Sequence, residues 1–327
     1  MKPSNVQTSL KILIKCRQPV FLWGPPGVGK SQVVQQITRE LEVDCTDVRA
    51  VLLDPVDLRG LPHINGDHRA HWATPDFLPQ DGKGVLFLDE LNAAPPLVQA
   101  ACYQLVLDRR IGEYTLPEGW AVIAAGNRES DRAVTHRMPS ALANRFVHIN
   151  FEADVEDWTD WALRRGIKNE VIAFIRFRPE LLHQFEGRAD EKAFPSPRSW
   201  EFVSNVLGQN PSSDVEYDLL AGTVGEGAAI EMLGFLRIFR SLPSPDAVLI
   251  NPSGAIVPED PAALYALCGA LAKKASDNNF GRLIAYALRL PAEFSVLLVR
   301  DAIHYAPEVQ NTRAFIEWSA THQDVLI

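Results

Sequence analysis

Gly24-Pro25-Pro26-Gly27-Val28-Gly29-Lys30-Ser31 reads G-x-x-x-x-G-K-S, the spacing by which a chain wraps a polyphosphate. Glycines let successive backbone N–H groups turn toward the phosphate oxygens, and a helix opening at the end of the loop adds its positive dipole. In that arrangement Lys30 reaches the β- and γ-phosphates and the Ser31 hydroxyl holds Mg²⁺, with Gln32 opening the helix behind them. A second chemical signal is Asp89-Glu90, which closes the apolar run Val85-Leu86-Phe87-Leu88. Two adjacent carboxylates at the end of a buried strand are costly without partners. Neighbouring side chains on a strand point to opposite sides, so Asp89 is expected to face a metal and Glu90 a water in line with the γ-phosphate. Asn127, after Gly126, is a neutral amide able to donate to a phosphate oxygen and accept from that water. Arg145 offers the cation from which phosphoryl transfer gains most, often supplied by a neighbouring molecule.

These residues need strands to carry them. Pro19-Val20-Phe21-Leu22-Trp23 runs into the glycine loop and Ser31 to Leu41 leaves it as a helix. Val85 to Leu88 is apolar at every position, as in a parallel strand covered on both faces. Trp120 to Gly126 is a third strand, and Ser140 to Arg145 a short helix before the strand Val147-His148-Ile149. Alternation of strand and helix up to residue 150 predicts an α/β fold, a P-loop parallel sheet flanked by helices. Beyond Phe151 the pattern turns helical. Val155 to Ala162, Glu170 to Phe177 and Ser199 to Leu207 form one group. Ala228 to Phe239, Pro261 to Ala275, Asn279 to Leu290 and Ala292 to His304 form a second, after a polar stretch from Gly208 to Asp214. The expected division is 1–150, 151–207 and 208–327.

Together these motifs resemble the AAA+ ATPases, and within them the MoxR branch; activators of the CbbQ/NorQ type share the same motifs. The resemblance runs from Pro19 to Trp200 and includes Leu91-Asn92-Ala93-Ala94-Pro95-Pro96 and Gly126-Asn127-Arg128. It implies an AAA+ core, a helical lid over 151–207 and a further helical C-terminal region. By the same resemblance Gly24 to Ser31 are Walker A, Asp89 and Glu90 Walker B, Asn127 sensor 1, Arg145 the arginine finger and Arg198 sensor 2. ATP and Mg²⁺ are the implied cofactors. Arg145 then acts on a neighbouring subunit's nucleotide, which implies a ring, expected to be a hexamer. MoxR-type proteins act as chaperone-like remodelling or activation factors on protein clients, often with a partner that carries a von Willebrand factor A domain.

Two segments resemble the hairpins such rings carry at the pore or its face. One is Leu61 to Trp72, where Asn65-Gly66 signals a two-residue turn that pairs Ile64 with Asp67 and His63 with His68. The other is Asp108 to Pro117. Ile64, His68 and Tyr114 are the hairpin residues expected to meet a partner. His63, His68 and His71 suggest a metal, but His68 and His71 fall on opposite faces of one strand, so only two can cluster.

Composition bounds the alternatives. Across 327 residues the chain is 46% hydrophobic and 22% charged, with room for two domains and a net charge of −9. That charge argues against nucleic acid as the main partner. A motor subunit of a nucleic-acid-processing complex is the alternative; its hint is Arg109-Arg110 in the second hairpin, against Asp108 and Glu113. A small-molecule kinase leaves Glu90, Asn127 and Arg145 without a task. No Asn-Lys-x-Asp guanine signature is present, so ATP is the default base. No apolar run reaches the ~18 residues of a membrane span, and Met1 to Asn5 shows no leader core. Cys16, Cys45, Cys102 and Cys268 lack zinc spacing; Cys16 and Cys102 sit among apolar residues and are expected to pack. The cytoplasm is the expected compartment.

Overall fold

The apolar runs become neighbouring parallel strands. A computed structural model describes every residue except 65, 67–69, 132–135, 137, 188–191 and 322–327. In chain order the strands are β1 (Val20–Trp23), β2 (Asp44–Arg49), β3 (Leu61–Ile64), β4 (Ala70–Ala73), β5 (Lys83–Asp89), β6 (Arg110–Ile111), β7 (Tyr114–Thr115), β8 (Gly119–Gly126) and β9 (Val147–Asn150). Five of them form one parallel sheet in the order β2-β5-β8-β1-β9, and β3-β4 and β6-β7 are separate antiparallel hairpins.

Period-2 alternation splits the apolar strands between two cores. Phe21, Leu86, Leu88, Val122 and Ala124 face one side. There they meet Leu58 of the short helix α3 (Pro55–Arg59) and Val98, Cys102 and Leu105 of the helix α4 (Pro96–Asp108). Val20, Leu22, Val85, Phe87, Ile123 and Ala125 face the other side. There they meet Val6 and Leu10 of α1 (Pro3–Lys15) and Val33, Val34 and Ile37 of α2 (Lys30–Glu40). Burying each large side chain contributes about 1.5–3 kcal/mol, so a strand covered on both faces has no polar position to spare until its end. That end is Asp89. The α/β class with a helical C-terminal region, expected from the order of segments, is what the chain adopts.

The chain forms two compact units. One holds Met1–Asp157, Phe185–Asp190 and Ser196–Arg198; the other holds Trp158–Gln184, Glu191–Pro195 and Ser199–Ile327. The second unit is helical. Its core gathers Leu264, Leu267, Leu271, Phe280, Leu283, Leu298 and Trp318. Within it the buried Arg176 guanidinium pairs in two-pronged fashion with Asp301, and Tyr305 Oη donates to Asn169 Oδ1 at 2.8 Å. Among the described residues, no helix is long and apolar enough to cross a membrane.

The first hairpin departs from the expected register. Pro62 pairs with Trp72, His63 with His71 and Ile64 with Ala70, so the partners of His63 and Ile64 are not the His68 and Asp67 that a two-residue Asn65-Gly66 turn would give them. Every residue of β3 is exposed, and no buried face holds a register from the tip. The base sets it: a Cβ on Gly60 (φ 85°) would sit 1.8 Å from Ala73 O, so only glycine lets the two strands close there. Asn65 and His68 lie outside the described residues. His63 and His71 are cross-strand partners with ring centroids 6.1 Å apart. His71 Nδ1 lies 3.7 Å from the Glu113 carboxylate, so β4 touches the turn between β6 and β7.

That second hairpin is closed by Gly112-Glu113, with Ile111 paired to Tyr114. Tyr114 is buried and donates through its hydroxyl to Pro79 O at 2.6 Å, so it anchors the hairpin rather than presenting to a partner. Arg109 is likewise committed. It ends α4 in the left-handed region (φ 57°) and its guanidinium donates to Pro117 O and Trp120 O. One nitrogen of its guanidinium is thus spent on its own loop, while Arg110 beside it is exposed. Cys102 packs as expected, whereas Cys16 is exposed, because it caps the end of α1 beyond that helix's apolar face.

Candidate phosphate-binding and hydrolytic site

The loop from Gly24 to Gly29 crosses from the end of β1 to the start of α2. Gly27 (φ 77°) and Gly29 (φ 106°) hold left-handed backbone that a side chain would strain, which is why these positions of the motif are glycine. Pro25, Pro26 and Lys30 are half-buried, Val28 is buried among the residues below the sheet, and Gln32 is exposed on the first turn of α2.

Lys30 is the hub. Its ammonium donates to Gly24 O at 2.6 Å, to Pro25 O at 3.0 Å and to Asn127 Oδ1 at 3.0 Å. Burial pushes it down from 10.5 to about 8; the Asp89, Asp131 and Glu90 carboxylates pull it back up and Arg198 pushes it further down. The four charged groups that act on Lys30 thus come from the end of β5 (Asp89), from the residue just past it (Glu90), from the turn after β8 (Asp131) and from the segment at Arg198.

Ser31 Oγ donates to Asp89 Oδ2 at 2.7 Å, and Asp89 Oδ1 accepts from the backbone N–H of Glu90 at 2.9 Å. A hydroxyl and a carboxylate in contact form a hard, oxygen-only donor pair. Mg²⁺ favours such a set, because it takes one or two protein oxygens and completes its shell with phosphate and water. The residues fit that ion, with Ser31 and Asp89 as its holders.

Glu90 is not on the strand. β5 stops at Asp89, and Glu90 takes left-handed backbone (φ 56°, ψ 32°) ahead of the single 3₁₀ turn Leu91–Ala93. It diverges from Asp89 by this backbone reversal and not by strand alternation. The conformation costs a non-glycine residue about 1–3 kcal/mol. The bond from its N–H to Asp89, and the bond from Ala93 N–H to Glu90 O at 3.0 Å, hold it.

Asn127 follows directly on β8, and its side-chain oxygen accepts from Lys30. Arg198 is exposed at the start of the helix Pro197–Gly208, and its backbone N–H donates to Gly27 O at 3.4 Å. Lys30, Ser31, Asp89, Glu90, Asn127 and Arg198 therefore share one neighbourhood. Arg145 does not join them. It lies two residues past the four-residue helix Ser140–Ala143 rather than on it, and it is exposed with no side-chain partner among the described residues. Of the other arginines near it in sequence, Arg128 donates to Phe151 O at 3.1 Å, and Arg132 and Arg137 lie outside the described residues.

Two further residues of this neighbourhood have no chemical role in the motifs, although Asn92 lies within the run Leu91-Asn92-Ala93-Ala94-Pro95-Pro96. Asp131 accepts from the Arg128 N–H at 2.8 Å and adds charge beside Lys30. Asn92, in the turn after Glu90, is 2% exposed and donates from Nδ2 to Asn127 O at 2.7 Å. Among the described residues no group of three or more His, Cys, Asp or Glu is arranged to hold a metal by itself, so any cation here relies on the hydroxyl of Ser31 and on its ligand.

Residues 19–146 match the AAA domain family, dynein-related subfamily. Midasin of Giardia intestinalis is 26% identical over 173 residues, which is 49% of this chain and 4% of that protein; the chain spans only a small part of this relative's length. Among solved structures, a RuvB variant of Thermotoga maritima is 18% identical, covering 82% of this chain and 81% of that one with a TM-score of 0.41. NtrX of Brucella abortus in complex with ATP is 14% identical, covering 99% of this chain and 67% of that one with a TM-score of 0.44.

Proposed function

We propose, from an AAA domain of the dynein-related subfamily over residues 19–146, that this chain is a Mg²⁺-dependent ATPase that works as a ring and remodels or activates a protein client. The observation that carries the reading is the convergence on one point of Lys30 with Asn127, at 3.0 Å, and of Ser31 with Asp89, at 2.7 Å, with Glu90 turned out of the strand beside them.

The proposed reaction is in-line transfer of the γ-phosphoryl group to water. Backbone N–H groups of Gly27 to Ser31 and the Lys30 ammonium take the phosphate oxygens. Ser31 and Asp89 would hold Mg²⁺, which would supply positive charge against that of the phosphates. Glu90 holds the water and accepts its proton as the new O–P bond forms and the bond to the β-phosphate breaks. Asn127 places that water, and Arg198 follows the phosphate from its own chain. Arg145 is exposed and has no side-chain partner among the described residues, which suits a group that completes the site of a neighbour; that is the support for a ring, with a hexamer as its expected size.

The protein client and a von Willebrand factor A partner rest on the MoxR resemblance. The net charge of −9 and the internal commitment of Arg109 favour a protein over a nucleic acid. Turnover of ATP by the wild type tests the reading, with Lys30→Ala as its control. Loss of one charged donor is expected to weaken ATP binding about 10–100-fold. Equal affinity of the two proteins for ATP would end it.

The burial of Lys30 makes a pH prediction. Its ordinary value is 10.5 and its folded value about 8. Burying the charged form therefore costs stability in full below pH about 8, and that cost disappears as pH rises from about 8 toward 10.5. ATP favours the charged form, so above pH about 8 binding should take up a proton and affinity should fall as pH rises. Calorimetric titration in two buffers of different ionisation enthalpy measures the uptake. Identical apparent enthalpies above that pH would show that Lys30 is charged before ATP arrives.

A further inference from the structure

Asn92 has no assigned task, yet it is among the least exposed polar residues of the first unit, at 2%. Two of its hydrogen bonds and its place in the chain tie it to different parts of the site. Its Nδ2 donates to the carbonyl of Asn127 at 2.7 Å. Its own carbonyl accepts from the His136 N–H at 2.7 Å, which fastens the segment that leads to Arg145. It also belongs to the turn Leu91–Ala93, whose first residue is preceded by Glu90 in left-handed backbone.

Its amide lies flat against the end of β8. A Cβ on Gly126 would stand 1.9 Å from Asn92 Oδ1 and 2.6 Å from Asn92 Cγ. Gly126 is therefore the small residue that admits Asn92, and Asn127 is the next residue along. Asn92 Oδ1 is buried with no hydrogen-bond partner among the described residues, which costs about 1–3 kcal/mol that a purely structural apolar residue would avoid.

We infer that Asn92 is a positioning residue: through the Asn127 carbonyl it sets where the Asn127 amide meets Lys30 and the attacking water, and it keeps that amide in register with Glu90. The inference rests on the ATPase reading above. An Asn127 backbone released from Asn92 can still let ATP bind, since the phosphates are held by the loop and Lys30. It can no longer hold the water in line, and a displacement of about 1 Å at that point costs on the order of 100-fold in rate.

The test is Asn92→Asp, which keeps size and shape but places a carboxylate against the Asn127 carbonyl, with Asn92→Ala as the second variant. Both are expected to lower kcat about 10–100-fold while KM for ATP and the Kd of a fluorescent ATP analogue stay within about threefold of wild type. Gly126→Ala should push Asn92 away and reproduce the loss. The double variant Asn92→Ala/Gly126→Ala, in which the new methyl group takes the vacated space and keeps only its 3.0 Å approach to Phe21 Cζ, present in the Gly126 single variant as well, should be no worse than the Gly126→Ala single change. A kcat within about twofold of an active wild type in both Asn92 variants overturns the inference, as does a multiplicative loss in the double variant. A Kd that rises in step with the fall in kcat also overturns it, because Asn92 would then support the whole site. Absence of turnover in the wild type is a different result, and it sinks the ATPase reading.

Discussion

Glu90→Gln should bind ATP as the wild type does and turn it over about 10²–10⁴-fold more slowly, the range that a positioned general base contributes. The substitution removes the proton acceptor and little else. Glutamine keeps the length of the side chain and tolerates left-handed backbone no worse than glutamate. The two bonds that hold the turn, from the residue 90 N–H to Asp89 Oδ1 and from Ala93 N–H to the residue 90 carbonyl, use only backbone at that position. Lys30 loses one of three favourable carboxylates, and Glu90 is the smallest of the three, behind Asp89 and Asp131. Binding should therefore hold while chemistry stops. Single-turnover assays with excess protein separate the two steps. Normal turnover in this variant would leave Glu90 without a part in the reaction and would make Asp131 the carboxylate to examine next.

Arg145→Ala should lower turnover about 10³–10⁵-fold, the range over which an arginine supplied to a phosphoryl-transfer site acts, and change ATP affinity little. The guanidinium is exposed and free of partners among the described residues, so its loss disturbs no packing. The sharper expectation is complementation. Arg145→Ala subunits keep an intact phosphate site, and Lys30→Ala subunits keep an intact arginine. Where one stands beside the other in a ring, a complete site forms that neither parent can make. A mixture of two inactive proteins should therefore recover part of the activity. Arg145→Lys keeps the charge but not the planar fork and should rescue only in part. Co-assembly without recovery would place the action of Arg145 within its own chain, or remove it from the reaction. Arg128, the neighbouring alternative, is held against the Phe151 carbonyl and is poorly placed to reach another molecule.

The coupling between this chemistry and a client would run through the hairpins, and there the fold narrows the candidates. Tyr114 is an internal anchor, and Arg109 is consumed in holding its own loop. Among the described hairpin residues, the large apolar side chains that stay outward are Leu61 and Ile64 on β3, at 69% and 75% exposed. Contact of His71 and Trp72 with Glu113 means that the first hairpin leans on the second, so a load on one reaches the other.

The features legible in the sequence are those whose physics is local. A loop that must turn its N–H groups inward needs glycine at Gly27 and Gly29 wherever it occurs, and a strand covered on both faces must be apolar at each position from Val85 to Leu88. Those two constraints suffice to predict the parallel sheet, the phosphate loop and Asp89 at the strand end. β2 left no such trace, because it lies at the sheet edge and only Val48 along it is buried. The reversal at Glu90 was illegible for a related reason. Nothing in Leu88-Asp89-Glu90 announces left-handed backbone; it goes with an Asp89 that accepts the Glu90 N–H on one oxygen while the other accepts from Ser31, 58 residues away. The hairpin register was decided at Gly60 and Ala73, at the base, and not by the Asn65-Gly66 signal at the tip. Asn92 depended most on tertiary structure. Its role needs a carbonyl 35 residues away and a glycine that makes room for it, and neither partner is visible until β5 and β8 lie side by side.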